Sequence, residues 1–172
     1  MAVRPIRIYP DPVLRVRCPT VEAFDEALGK LVDDMVDTMH AAPGIGLAAN
    51  QVGEEYAIAV VDLSVGERHD DLVVLVNPEI VNQEGVDDDT EGCLSLPGIT
   101  DKVRRPTSIR VRATNTQGES FELEAEGLLA RAICHEIDHL SGVLFTDRLH
   151  GLRKERGRRL LKKLAQEQTA VS

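Results

Sequence analysis

The sequence predicts one α+β domain, mostly antiparallel strands packed around a central helix and followed by a C-terminal helix, and three observations predict it. The 172 residues hold no internal repeat, linker or low-complexity tract, so a single domain over 1–172 is expected. Short apolar or alternating runs come mostly before the last two helical stretches, the order of an α+β chain and not of a strictly alternating α/β one. Aromatic residues make up 3% of a chain that is 42% hydrophobic, and Trp is absent, so the core must be aliphatic.

The elements follow in order. Pro10 and Pro12 exclude a helix near the N-terminus and bias residues 7–12 to extended backbone. Over 24–41, Leu28, Leu31, Val32, Met35, Val36 and Met39 recur at the spacing of an amphipathic helix, which Pro43 and Gly44 end. Residues 56–63 and 72–76 are short apolar runs that fit buried strands, with 66–71 as the turn between them. Residues 109–114 and 121–126 alternate apolar with polar and flank the turn sequence 115–118, which predicts a hairpin. A second helix is expected over 128–140 and a third over 148–168, the latter held to the body by Leu149, Leu152, Leu160 and Leu164.

Composition narrows the function. No run reaches the length of apolar residues a membrane span needs, and residues 1–7 do not lead into a signal-like apolar segment. A cytoplasmic location is expected, with neither a membrane nor DNA as partner. In that reducing compartment Cys18, Cys93 and Cys134 are expected as thiols, free to ligate metal. Charge is uneven: residues 148–163 carry eight basic residues against Glu155 alone, while the whole chain is −9. Such a basic tail on an acidic body either meets an anionic partner or is a solvated helix face.

The sharpest local signal is His135-Glu136-Ile137-Asp138-His139 in the second helix. Residues four apart share a helix face, so two imidazoles can reach one ion and Glu136 lies beside them, which makes the central helix a metal-binding one. A catalytic site keeps three protein ligands, and Cys93, in the Gly92- and Pro97-bracketed 91–97, is the expected third. Cys134 points about 100° away from His135 and is expected to pack, as is Cys18. Asp138 is expected to anchor the helix through Arg104 or Arg105. The small residues of 44–53, including Gly44, Gly46, Ala48 and Ala49, allow close backbone approach.

Together Gly44-Ile45-Gly46-Leu47-Ala48-Ala49-x-Gln51, Glu91-Gly92-Cys93-Leu94-Ser95 and His135-Glu136-x-Asp138-His139, in this order, resemble the three motifs of the peptide deformylase family. Tyr9-Pro10-Asp11-Pro12 and Leu140-x-Gly142-x-Leu144-Phe145 extend the resemblance over most of the chain. It implies a hydrolase that removes the formyl group from N-terminal formyl-methionine of nascent proteins, with metal-bound water activated by Glu136. It also implies Cys93, His135 and His139 as ligands, and Gln51 with the Leu94 N–H as donors to the oxyanion. The family usually holds Fe2+, whereas the donor set itself suits Fe2+, Zn2+, Ni2+ or Co2+. An extended substrate is expected to pair with backbone at Ile45 and Gly46, its methionine side chain against Ala132, Ile45 and Leu129. The basic C-terminal helix is expected to dock on the ribosome. Cys134 departs from the Gln usual before the first His, and residues 98–101 lack the basic residue many relatives carry there.

Two other readings fit parts of the chain. His-Glu-x-x-His alone suits a small zinc metallopeptidase, which leaves Cys93 and Gln51 unexplained. A structural metal module would need a fourth ligand and leaves Glu136 and Gln51 without a role.

Overall fold

A computed structural model describes residues 2–171, without the side chain of Val171, so Met1 and Ser172 of the expected 1–172 domain lie outside the described residues. Three α-helices, α1 (Glu26–Ala41), α2 (Gly127–Leu140) and α3 (Gly151–Val171), and four short 3-10 turns, the first at Pro12–Arg15 just past the extended N-terminal stretch, accompany seven strands among the described residues. The strands are β1 (Gly46–Ala48), β2 (Ile58–Val61), β3 (Val73–Glu84), β4 (Asp87–Gly92), β5 (Thr100–Arg105), β6 (Ser108–Thr114) and β7 (Ser120–Glu126). They form a five-stranded sheet in the order β1-β2-β3-β6-β7 and a separate β4-β5 ribbon, every pairing antiparallel. This is the α+β architecture expected from the sequence.

Helix α1 begins where Asp25 caps it, its carboxylate accepting from Leu28 N at 3.0 Å. Its apolar stripe, Leu28, Leu31, Met35 and Met39, packs with Ile58, Val60 and Val76. Val61, Leu75, Ile109 and Val111 instead pack with Ala130, Ile133 and Cys134 of α2. Strand β2 is thus buried on both faces, which is why it reads as an unbroken apolar run.

Strand β3 runs eight residues beyond the expected 72–76. The register shifts after Val76, where Asn77 adopts φ +53° and Pro78 follows, so the apolar pattern stops while the strand goes on. Strands β4 and β5 were not expected, because a ribbon of Asp87-Asp88-Asp89-Thr90 opposite Arg105, Arg104, Val103 and Lys102 has no apolar alternation to read.

Helix α3 corrects the sequence reading in phase. Its buried face is Gly157, Leu161 and Leu164, with Leu160 half-buried, whereas Leu152 is 83% exposed. The helix starts after Leu149, at Gly151, and a Cβ on Gly157 would stand 3.2 Å from Leu149 Cδ1. Glycine there lets the helix lie close on Leu149 and Thr146, and that contact sets its rotation. Arg153 and Arg156 reach Asp101 on β5 at 3.6 and 3.3 Å, tying α3 to the ribbon.

Candidate active site and metal centre

Helix α2 runs through the middle of the fold with His135 and His139 one turn apart. Cys93 is the first residue after β4, in a turn closed by Leu96 N donating to Cys93 O at 3.0 Å. His139 Nε2 is 3.2 Å from His135 Nε2 and 3.3 Å from Cys93 Sγ, and the three donor atoms all lie within 4.8 Å of one another. Lone pairs brought this close repel unless a cation or protons lie among them, and a thiolate with two imidazoles is a donor set for a borderline divalent metal. The residues present therefore fit a metal. Burial and the neighbouring His135 hold His139 well below the usual histidine range, as a neutral imidazole ready to ligate.

The donor side chains are held from behind. Glu91 Oε1 lies 2.8 Å from His135 Nδ1, fixing the ring so that Nε2 faces the other donors. Burial alone would raise Glu91, but hydrogen bonds from Arg105 and His135 bring it down to about 2. Arg105 grips it with two bonds of 2.8 and 2.9 Å, and Arg131 adds a third of 2.8 Å. Arg105 also donates to Asp138 at 2.6 Å, which Arg148 clamps with two more bonds. Of the two anchors expected for Asp138, then, Arg105 makes the bond, whereas Arg104 pairs with Asp88. Asn50, fully buried, donates from Nδ2 to His139 O at 2.6 Å. Sequence reasoning gave no role to Glu91, Arg131, Arg148 or Asn50. Of these, Glu91 carried the readable signal, standing two residues before Cys93 in the same short motif.

Glu136 is 5% exposed, and Gly46 lies over it so closely that a Cβ at position 46 would stand 2.5 Å from Oε2. Its Oε1 has no hydrogen-bond partner among the described residues. Burial pushes its pKa up to about 7, against the opposing pull of His135. Gln51, 2% exposed, accepts from Ala48 N at 2.9 Å and donates to Ser95 Oγ at 3.1 Å, and its Nε2 is 3.6 Å from Cys93 Sγ.

A cavity of about 390 Å³ opens over these groups. Ile45, Gly46, Gln51, Leu94, Ala132, His135, Glu136 and Cys93 all line it. Leu129 does not. It packs half-buried among the apolar residues between α2 and the sheet, and Leu128, at i, i+4 and i+7 with Ala132 and His135, takes the place at the cavity. Residues of β1 and β4 both border the cavity, and each strand pairs on one side only, β1 with β2 and β4 with β5. Two unpaired strand edges therefore meet at one cleft. Cys134 and Cys18 are buried apart from it, each thiol pushed up to about 11 by burial.

Three convergent donors and a buried carboxylate whose Oε1 has no hydrogen-bond partner among the described residues, set in one cleft, define a metal-dependent hydrolase. Residues 3–155 match the family model described as polypeptide deformylase, and the chain belongs to that family. It is 49% identical over 164 residues to a peptide deformylase of Acidobacterium capsulatum, covering 95% of this chain and 96% of the relative. To one of Syntrophobacter fumaroxidans it is 48% identical over 170 residues, covering 99% and 100%. The crystal structure of a peptide deformylase from Legionella pneumophila superposes with a TM-score of 0.88 at 43% identity, covering 98% of each chain.

Proposed function

We propose that this chain removes the formyl group from the N-terminal formyl-methionine of nascent proteins. The observation that carries the reading is the buried Glu136 carboxylate beside the Cys93–His135–His139 cluster, at the floor of a cleft between two unpaired strand edges. An extended peptide can pair with backbone at Ile45 and Gly46 on one side and at β4 on the other. Ile45, Leu128 and Ala132 give its methionine side chain apolar surface.

Cys93, His135 and His139 would hold a divalent metal, ferrous iron in our reading, with Zn2+, Ni2+ or Co2+ able to replace it. When bound, it supplies Lewis acidity, making water more acidic and a carbonyl more electrophilic. Glu136 takes the proton from the attacking water and returns it to the departing amine. One N–H of Gln51 donates to Ser95 Oγ and the other is directed at Cys93 Sγ, a long contact that it can exchange for the oxyanion, together with the Leu94 N–H, as charge develops. Formyl carries only hydrogen on its carbonyl carbon, so a crowded site admits it and excludes acetyl.

The test is turnover by anaerobic, ferrous-loaded protein of a formyl-Met tripeptide against its acetyl counterpart. Release of formate with no release of acetate is expected, and equal rates on both sink the reading. The iron assignment has its own measurement: ferrous-loaded protein should lose activity in air within hours while zinc-loaded protein keeps its own, because Cys93 and Fe2+ are both open to oxidation.

The substrate is made in the cytoplasm on ribosomes, and the chain's place is there; among the described residues no helix is long and apolar enough to cross a membrane. Lys154, Arg158, Arg159, Lys162 and Lys163 of α3 make no ion pair among the described residues and are available to ribosomal RNA phosphates, while Arg153 is occupied by Asp101. Co-sedimentation with ribosomes should weaken steeply with salt, and replacing the five should flatten that slope. Absence of binding at low salt ends the idea.

A further inference from the structure

We infer that Arg131 is a positioning residue that holds the substrate-pairing edge of β4 at its working distance from β1, an inference that rests on the deformylase reading above. The β4–β5 ribbon is joined to the main sheet by no strand pairing. Two strands alone are marginal in water, and this pair has little apolar surface to hold it down: residues 87–90 are exposed, and Val103 is the one buried apolar side chain of the ribbon. Arg153 and Arg156 of α3 reach its Asp101 with half-exposed, long ion pairs, which leaves the α2 side to fix it.

Arg131 of α2 does so with one guanidinium. Its Nη1 donates to Val103 O on β5 at 2.7 Å and to Glu91 Oε2 on β4 at 2.8 Å, and its Nη2 donates to Asp87 O at 2.9 Å; Asp89 O is a longer contact at 3.4 Å. The side chain is 6% exposed, so these bonds are made out of water, where they are strongest, and the residue also lines the cavity. The fork thus reaches both strands of the ribbon and the carboxylate that orients His135. Arg105, the other partner of Glu91, lies on β5 itself and reaches α2 only through side chains. A lysine has no planar fork and can serve only part of the set, and a methionine of similar length serves none.

If the ribbon is held this way, losing the fork frees one wall of the cleft without dismantling the fold. Arg131→Met should raise KM for a formyl-Met tripeptide about tenfold, as expected for losing charge-assisted bonds that fix a binding edge, while kcat stays within about threefold and metal content is unchanged. Arg131→Lys should fall between. Hydrogen exchange on metal-loaded protein without substrate is the second readout. Amides pairing β4 with β5 should lose protection in Arg131→Met, and amides pairing β2 with β3 should not. Unchanged KM with unchanged ribbon protection overturns the inference, as does an equal loss of protection in both places, which marks an arginine that merely stabilises the fold. The exchange arm uses no substrate, so a failure of the deformylase reading, seen as no turnover by wild type, stays separate.

Discussion

Gly46 and Glu136 meet face to face: the α-carbon of one lies against the carboxylate of the other, leaving no room for a methyl group between them. The strand proposed to pair with substrate is therefore also the roof over the Glu136 carboxyl. Gly46→Ala must push the carboxylate aside, and a displacement of about 1 Å can cost on the order of 100-fold in rate. Turnover by metal-replete Gly46→Ala checks this, and a rate near that of wild type would show that the contact has slack.

Glu136 lies between His135 and His139 in sequence without joining their cluster with Cys93. Glu136→Ala should keep a full complement of metal and lose several orders of magnitude in kcat, since proton transfer is removed and coordination is not. Metal analysis and turnover on one preparation decide it; substantial activity would move the proton-transfer role to another group.

The same carboxyl makes metal-free protein sensitive to pH. Its folded pKa of about 7 lies above its ordinary value of 4.5, so the folded chain keeps a proton that the unfolded chain has released. Stability is present in full below about 4.5 and falls as pH rises toward 7, by roughly 3 kcal/mol in the limit. Metal-free Glu136→Gln lacks this loss, so its stability advantage over metal-free wild type should widen between pH 4.5 and 8. Urea unfolding across that range measures the gap, and a gap that does not change with pH refutes the assignment.

Glu91 serves His135, Arg105 and Arg131 at once. Glu91→Gln leaves two buried guanidiniums short of an anion, at a cost of roughly 3–5 kcal/mol, and frees the His135 ring. Metal affinity should drop about 10- to 100-fold, as when the group orienting a ligand is lost. Competition against a chelator and thermal unfolding report the two effects; unaltered affinity would mean that α2 alone aligns the imidazole.

What could be read in the chain follows from where burial writes a pattern. Helices α1 and α2 each bury one stripe and were legible to within two residues, and His135 and His139 carried their geometry in their spacing. Strands β4 and β5 bury almost nothing apolar, so charges are all the sequence displays there. Glu91 and Arg131 read as ordinary charges, and Arg105 only as one of two candidate partners for Asp138, because the pairing that buries them joins β4, β5 and α2, elements distant in sequence. Leu152 and Leu161 show the reverse failure: both are leucines on one helix, and only the contact of Gly157 with Leu149 decides which of them turns inward.

The two unpaired edges at the cleft have a consequence for breadth of use. Hydrogen bonds to main-chain amides and carbonyls draw on groups that nearly every polypeptide presents at the same intervals, whatever side chains it carries. If substrate binds along those edges as proposed, selectivity is left to the first side chain and to the size of the acyl group. A cleft of this shape can therefore serve many unrelated clients.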